Sequence, residues 1–99
     1  MLRFVFTCLL LAGTLHTLPA TAETTNCTTI DSLPVSISTQ GVYCLRHNLS
    51  TSITSGIAIA IRTNNVTIDC NDWKIGGLAG GIGTEAYGIV AAGRNNVTI

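Results

Sequence analysis

The sequence predicts an all-β fold wound as a stacked solenoid, an amino-terminal cap followed by about two to three coils. Three observations carry this reading. Asn64-Asn65-Val66-Thr67-Ile68 recurs as Asn95-Asn96-Val97-Thr98-Ile99, an offset of 95 − 64 = 31 residues. Self-similarity at a fixed period of about 20–50 residues marks a repeat architecture. Ile57, Ile59 and Ile61 alternate with Ala58 and Ala60, and Val66, Ile68 and Cys70 alternate with Thr67, Asp69 and Asn71. That period of two belongs to a strand with one buried face. Beyond residue 22, Thr, Asn, Gly, Ile and Ala dominate, while the helix formers Glu, Lys, Leu and Gln are scarce, which favours strands.

Residues 1–22 read as a cleaved secretory signal peptide. Arg3 supplies a positive charge, residues 4–12 are mostly apolar, Pro19 ends the run, and Ala20-Thr21-Ala22 fits the small-x-small cleavage rule. The apolar core falls short of the about 20 residues that a transmembrane span needs. No Cys stands at a cleavage position to take a lipid, so no membrane association is expected after cleavage. The expected location is secreted or periplasmic. Residues 23–50 are expected to form the cap region and 51–99 the first coils, with an open carboxy-terminal end.

The part beyond the signal carries Arg46, Arg62, Lys74 and Arg94 against Glu23, Asp31, Asp69, Asp72 and Glu85. Four minus five gives −1, which offers no electrostatic footprint for nucleic acid or an anionic membrane. Oligomeric state is not fixed by these features.

The repeat also matches upstream. Gly56-Ile57-Ala58-Ile59-Ala60-Ile61-Arg62-Thr63 precedes the first copy, and Gly88-Ile89-Val90-Ala91-Ala92-Gly93-Arg94 precedes the second, one residue shorter. Stacked coils place each side chain on its counterpart one turn later, with strands about 4.8 Å apart. Ile68 is then expected near Ile99 and Asn64 near Asn95, with the Asn amides bonded along the stack. Corners are expected at Thr63-Asn64-Asn65, Asn71-Asp72, Gly76-Gly77, Gly80-Gly81 and Gly93, because Asn and Gly tolerate a left-handed backbone. Residues 78–86 read as a Gly-rich loop that lengthens one coil.

On these residues the chain resembles a known group. Cys27, Ile30-Asp31-Ser32-Leu33-Pro34, Ile37, Gly41-Val42-Tyr43-Cys44-Leu45, Asn48-Leu49, Gly56-Ile57-Ala58-Ile59, Asn65-Val66-Thr67-Ile68-Asp69-Cys70-Asn71 and Ile75-Gly76-Gly77 look like the amino-terminal part of bacterial right-handed parallel β-helix proteins of the pectate-lyase-like superfamily. The resemblance covers roughly 23–99. It implies polysaccharide as a partner, but that architecture also serves lyases, hydrolases, epimerases, tailspikes and adhesins. Members usually run several coils further, so the chain is expected to be an amino-terminal fragment.

Three cysteines remain after cleavage, and export permits disulfides. Compartment and spacing point to Cys27–Cys44, closing a loop of about 17 residues and stabilising it by roughly 3 kcal/mol. Cys44–Cys70 is the alternative. Cys70 shares the parity of Val66 and Ile68 and is expected as a buried thiol. No C-x-x-C pair exists and His47 is the one His beyond residue 22, so neither a metal site nor a cofactor is expected.

No constellation specifies a reaction, and no catalytic residue is assigned. Asp69 and Asp72 form the one close acidic pair, with turn and surface roles as the default against the two facing carboxylates of a glycosidase. Arg62 and Arg94 occupy like places in the two repeats and could grip acidic sugars as a stacked pair; solvated corner charges are the plainer reading. Trp73 and Tyr87 could stack on sugar rings, but core-edge packing is the plainer role. Four Asn-x-Ser/Thr sequons, at Asn26, Asn48, Asn65 and Asn96, are read as incidental. The leading functional expectation is a carbohydrate-active or carbohydrate-binding β-helix with any active site beyond Ile99. The alternatives are a non-catalytic, adhesin-like solenoid and an inactive fragment.

Overall fold

The computed structural model describes residues 23–99; the expected signal peptide at 1–22 lies outside the described residues. Regular structure consists of β1 (Thr28–Thr29), β2 (Val35–Ile37), β3 (Gly41–Cys44), β4 (Leu49–Ser50), β5 (Ile57–Ile61), β6 (Val66–Asp69), β7 (Ile75–Gly76), a 3-10 turn at Leu78–Gly80, β8 (Tyr87–Val90) and β9 (Val97–Thr98). Among the described residues there is no α-helix, and none long and apolar enough to cross a membrane.

Every pairing is parallel, in three sheets ordered β1-β3-β6-β9, β2-β5-β8 and β4-β7. From β2 onward the chain visits the second, first and third sheets in fixed rotation, twice, and then the second and first again. Parallel neighbours need a long crossover, and here the crossover is the visit to the other two sheets. Strands from both sides of residue 50 share these sheets, so the expected cap region already contributes β1 to β4.

Register reports how the chain lengthens with each circuit. Val35 pairs with Ile59, an offset of 59 − 35 = 24. Gly41 pairs with Val66, giving 25, and Leu49 with Ile75, giving 26. Ile57 pairs with Tyr87, giving 30, and Val66 with Val97, giving 31. The last value is the repeat period read from the sequence. The upstream match, however, set Gly56-Ile57 against Gly88-Ile89, and the structure corrects this by two residues: Ile59, not Ile57, lies opposite Ile89. A two-residue slip keeps every side chain on its face, so apolar parity alone does not distinguish the registers. The longer corner between β8 and β9 absorbs the difference.

Side chains of one parity form the core: Ile37, Leu49, Ile59, Ile61, Val66 and Ile68 from the strands, joined by Ile30 and Leu45. Ile59 and Leu45 are fully enclosed. The alternation of burial expected for β5 is incomplete, since Ala58 and Ala60 are buried as well. β5 is the middle strand of its sheet, where Ala60 lies between Ser36 and Val90, and a methyl group is too short to emerge between larger neighbours.

A disulfide joins Cys27 to Cys44 across 17 residues, with Cα atoms 5.8 Å apart. It fixes the segment entering β1 to the end of β3. Cys70 is free and only half-buried, against the expectation of a buried thiol. β6 ends at Asp69, so Cys70 stands at the start of the turn, packed on the rim of the core.

The Gly-rich stretch 78–86 leaves the third sheet and rejoins at β8. The Thr84 hydroxyl donates to the Ile53 carbonyl at 3.2 Å, and the Glu85 N–H donates to Thr54 O at 2.9 Å. A Cβ at Gly80 would sit 2.6 Å from the Ile53 carbonyl, so this close approach requires glycine.

Two outcomes test these contacts. Ile59→Ala is expected to cost about 2–5 kcal/mol in urea unfolding, the range for an enclosed aliphatic residue. Peptide mapping without reductant is expected to recover Cys27 linked to Cys44, and breaking the link by Cys27→Ser/Cys44→Ser to cost about 3 kcal/mol; a Cys44–Cys70 peptide would contradict the arrangement.

Candidate functional site

Two polar clusters stand out, and both hold the stack together. The first lies where the segment before β1 crosses β3 and β6. Asn71 and Asp72 both adopt a left-handed backbone, with φ of 49° and 63°, which reverses the chain after β6 as the sequence predicts. This turn aims the Asn71 amide at the incoming segment. The Thr24 N–H donates to Asn71 Oδ1 at 2.8 Å; Asn71 Nδ2 donates to Thr24 O at 3.1 Å and to Leu45 O at 3.0 Å. The Asp69 carboxylate accepts from the Thr24 hydroxyl and from the Asn71 N–H at 2.9 Å. Arg46 completes the cluster, donating through Nη2 to Thr25 O at 2.9 Å and through Nε to Thr29 Oγ1 at 2.8 Å.

These bonds decide what Asp69 can do. Accepting hydrogen bonds from Thr24 and Asn71 favours the charged form and holds its carboxyl below the usual range. Asp72 is an exposed turn residue. The pair therefore has the turn and surface roles, with one carboxylate already occupied by the fold. Burial raises the Cys70 thiol, and the Asp69 charge adds to the effect, which opposes formation of the nucleophilic thiolate.

The second cluster is the Asn corner. Asn65 and Asn96 adopt matching left-handed conformations, φ 56° and 57°. Asn96 Nδ2 donates to Asn65 Oδ1 at 2.9 Å, and the Asn95 N–H donates to Asn64 Oδ1 at 3.0 Å. Backbone bonds run beside them, from the Asn65 N–H to Asn95 O at 3.1 Å and from the Val66 N–H to Asn96 O at 3.2 Å. The doubled Asn of the repeat is thus a ladder between successive circuits, as expected. Two sequon asparagines are rungs of it, and a third, Asn48, accepts from the Lys74 N–H at 2.8 Å.

Other candidate residues fall elsewhere. Arg62 and Arg94 are both exposed but do not stack: Arg62 follows β5, whose partners lie 30 residues later, whereas Arg94 stands in the corner before β9. Tyr87 is 66% exposed and stands away from the core, whereas Trp73 leaves only 37% of its surface open. Tyr87 borders a cleft of 220 Å³ lined by Thr51, Ile53, Ala58, Gly76 and Thr84 among others, none of them charged. A broader depression of 320 Å³ runs along Ser36, Ile57 and Ala60 and ends at Arg62. Among the described residues, no three His, Cys, Asp or Glu side chains lie together as metal ligands. Sequence reading missed the clamp of Thr24, Arg46 and Asn71, whose members stand up to 47 residues apart.

The Asp69 bonds give a pH dependence. A carboxyl held below its unfolded value of about 3.9 stabilises the fold above that pH and loses its contribution as pH falls through the folded value. Asp69→Asn is expected to be less stable than the parent in urea near about pH 7, with the gap closing below about pH 4.

The chain matches no protein-family model, no curated protein and no solved structure.

Proposed function

We propose that this chain is the amino-terminal part of an exported right-handed parallel β-helix protein that binds or cleaves polysaccharide, its reactive groups lying outside residues 23–99. The observation that carries the reading is the fixed rotation of the chain through three parallel sheets. Return of each strand to the same sheet beside its predecessor is the arrangement that successive coils of a solenoid would give, which supports the reading. Parallel crossovers of this kind are right-handed in about 98% of cases. The Cys27–Cys44 disulfide suits an oxidising compartment outside the cytosol, in keeping with the signal-like residues 1–22.

Carbohydrate is favoured as the partner by the resemblance to pectate-lyase-like proteins and by Tyr87. An exposed aromatic ring beside an uncharged cleft presents an apolar face with a polar tip, a surface on which a sugar ring can stack. A second reading, a non-catalytic surface solenoid, is favoured by the commitment of both polar clusters to structural bonds.

In affinity electrophoresis through gels containing neutral or uronic-acid polymers, the protein is expected to be retarded and to release neither reducing nor unsaturated ends. Tyr87→Ala is expected to weaken the retardation several-fold, in line with the loss of about 0.5–1.5 kcal/mol of aromatic stacking. Retardation by no polymer would leave the non-catalytic solenoid; release of ends would overturn the placement of the reactive groups.

A further inference from the structure

We propose that the protein pairs with a second copy of itself about a two-fold axis, each copy seating its Ile82 in the other's depression along β2 and β5. The pairing is independent of the polysaccharide reading.

Ile82 is built as a knob. Gly80 and Thr84 both meet the carbonyl of Ile53: a Cβ at Gly80 would lie 2.6 Å from its oxygen, and the Thr84 hydroxyl donates to that oxygen at 3.2 Å. Residues 81–83 therefore have no counterpart in the circuit beneath and stand off the wall as a pinched loop. Gly81 and Gly83 hold φ of 80° and 83°, a backbone that favours glycine. Between them Ile82 is wholly exposed.

The depression can receive it. It measures 320 Å³ and is lined by Pro34, Val35, Ser36, Ile57 and Ala60, with Arg62 at one end. An apolar cavity of about 150 Å³ takes a benzene ring, so an isoleucine side chain has room here.

Charge selects the occupant. Arg62 and Glu85 are both exposed, and among the described residues neither side chain has a partner. Glu85 follows Ile82 by three residues. A copy that seats Ile82 brings its own Glu85 toward the Arg62 at the end of the other copy's depression, and guanidinium and carboxylate pair well. A lipid surface would engage Ile82 but leave the depression open.

The placement of the two parts fixes the symmetry. The Glu85 N–H donates to Thr54 O and the Tyr87 N–H to Gly56 O, each at 2.9 and 2.8 Å respectively, and Gly56 borders the depression. Knob and depression thus lie on one side of the molecule, where two copies can exchange knobs reciprocally, as an isologous interface requires. The depression rests on β2 and β5, the first and middle strands of their sheet, and residues 81–83 stand off the wall, so a coil stacked on β8 covers neither.

Sedimentation of the protein over micromolar to millimolar concentrations is expected to show a monomer–dimer equilibrium. Ile82→Ser and Ser36→Trp, both at exposed positions, are expected to weaken the dimer about tenfold or more, the first by removing the knob and the second by filling the depression. Arg62→Glu and Glu85→Arg are each expected to weaken it several-fold. The double variant Arg62→Glu/Glu85→Arg is expected to restore it, a recovery that damage to folding would not give. A monomer at every concentration, species larger than a dimer, a dimer that Ile82→Ser leaves unchanged, or a charge exchange without recovery would each overturn the proposal. So would Ile82-dependent binding to phosphatidylcholine vesicles by a protein that stays monomeric, which would make lipid the occupant.

Discussion

Apolar residues on one parity, held in register from circuit to circuit, are the constraint on which the molecule depends. Val35, Ile59 and Ile89 lie in one row, Ile37 and Ile61 in another, and Val66 and Val97 in a third. Burying such side chains is worth about 1.5–3 kcal/mol each, and a one-residue slip would turn every one of them outward. The strands themselves are short, from two to five residues. No single strand could stand alone; each owes its conformation to the layer beneath and the layer above.

Polar groups finish what the apolar rows begin. At corners the chain must turn, and no apolar row reaches there. The Asn65–Asn96 pair supplies both the left-handed backbone and the bond to the next circuit. Asn71 combines the same two roles, turning the chain after β6 while clamping Thr24. At Asn71 the side-chain amide donates and accepts at once, whereas in the corner Asn65 accepts and Asn96 donates. The disulfide fixes the same entering segment covalently, so the first layer has a firm lid.

Much of this was legible in the sequence because parity and repetition are local signals. The alternation in 57–61 and 66–69 announced the core rows, and the doubled Asn announced the ladder. The two-residue shift between β5 and β8 was not legible, since both registers bury the same face and corner length decides between them. Half-burial of Cys70 escaped for a related reason: parity gives direction but not where a strand ends. Trp73 and Tyr87 read as core-edge aromatics in the sequence, yet Trp73 stands between β6 and β7, and Tyr87 opens β8 with 66% of its surface exposed. The Thr24 clamp draws on residues too far apart in sequence to leave any pattern.

The growing offset between circuits has a consequence for how such a chain can change over time. Each added residue sits at a corner or in 78–86, while the rows of the core stay aligned. Length and register are thereby uncoupled: insertion lengthens the path between two strands without disturbing the sheets they join. Leu78 and Ile82, wholly exposed in the longest excursion, touch none of the buried rows. That excursion is the position at which mutation, duplication or a grafted loop can explore new chemistry while the stack beneath it remains unaltered.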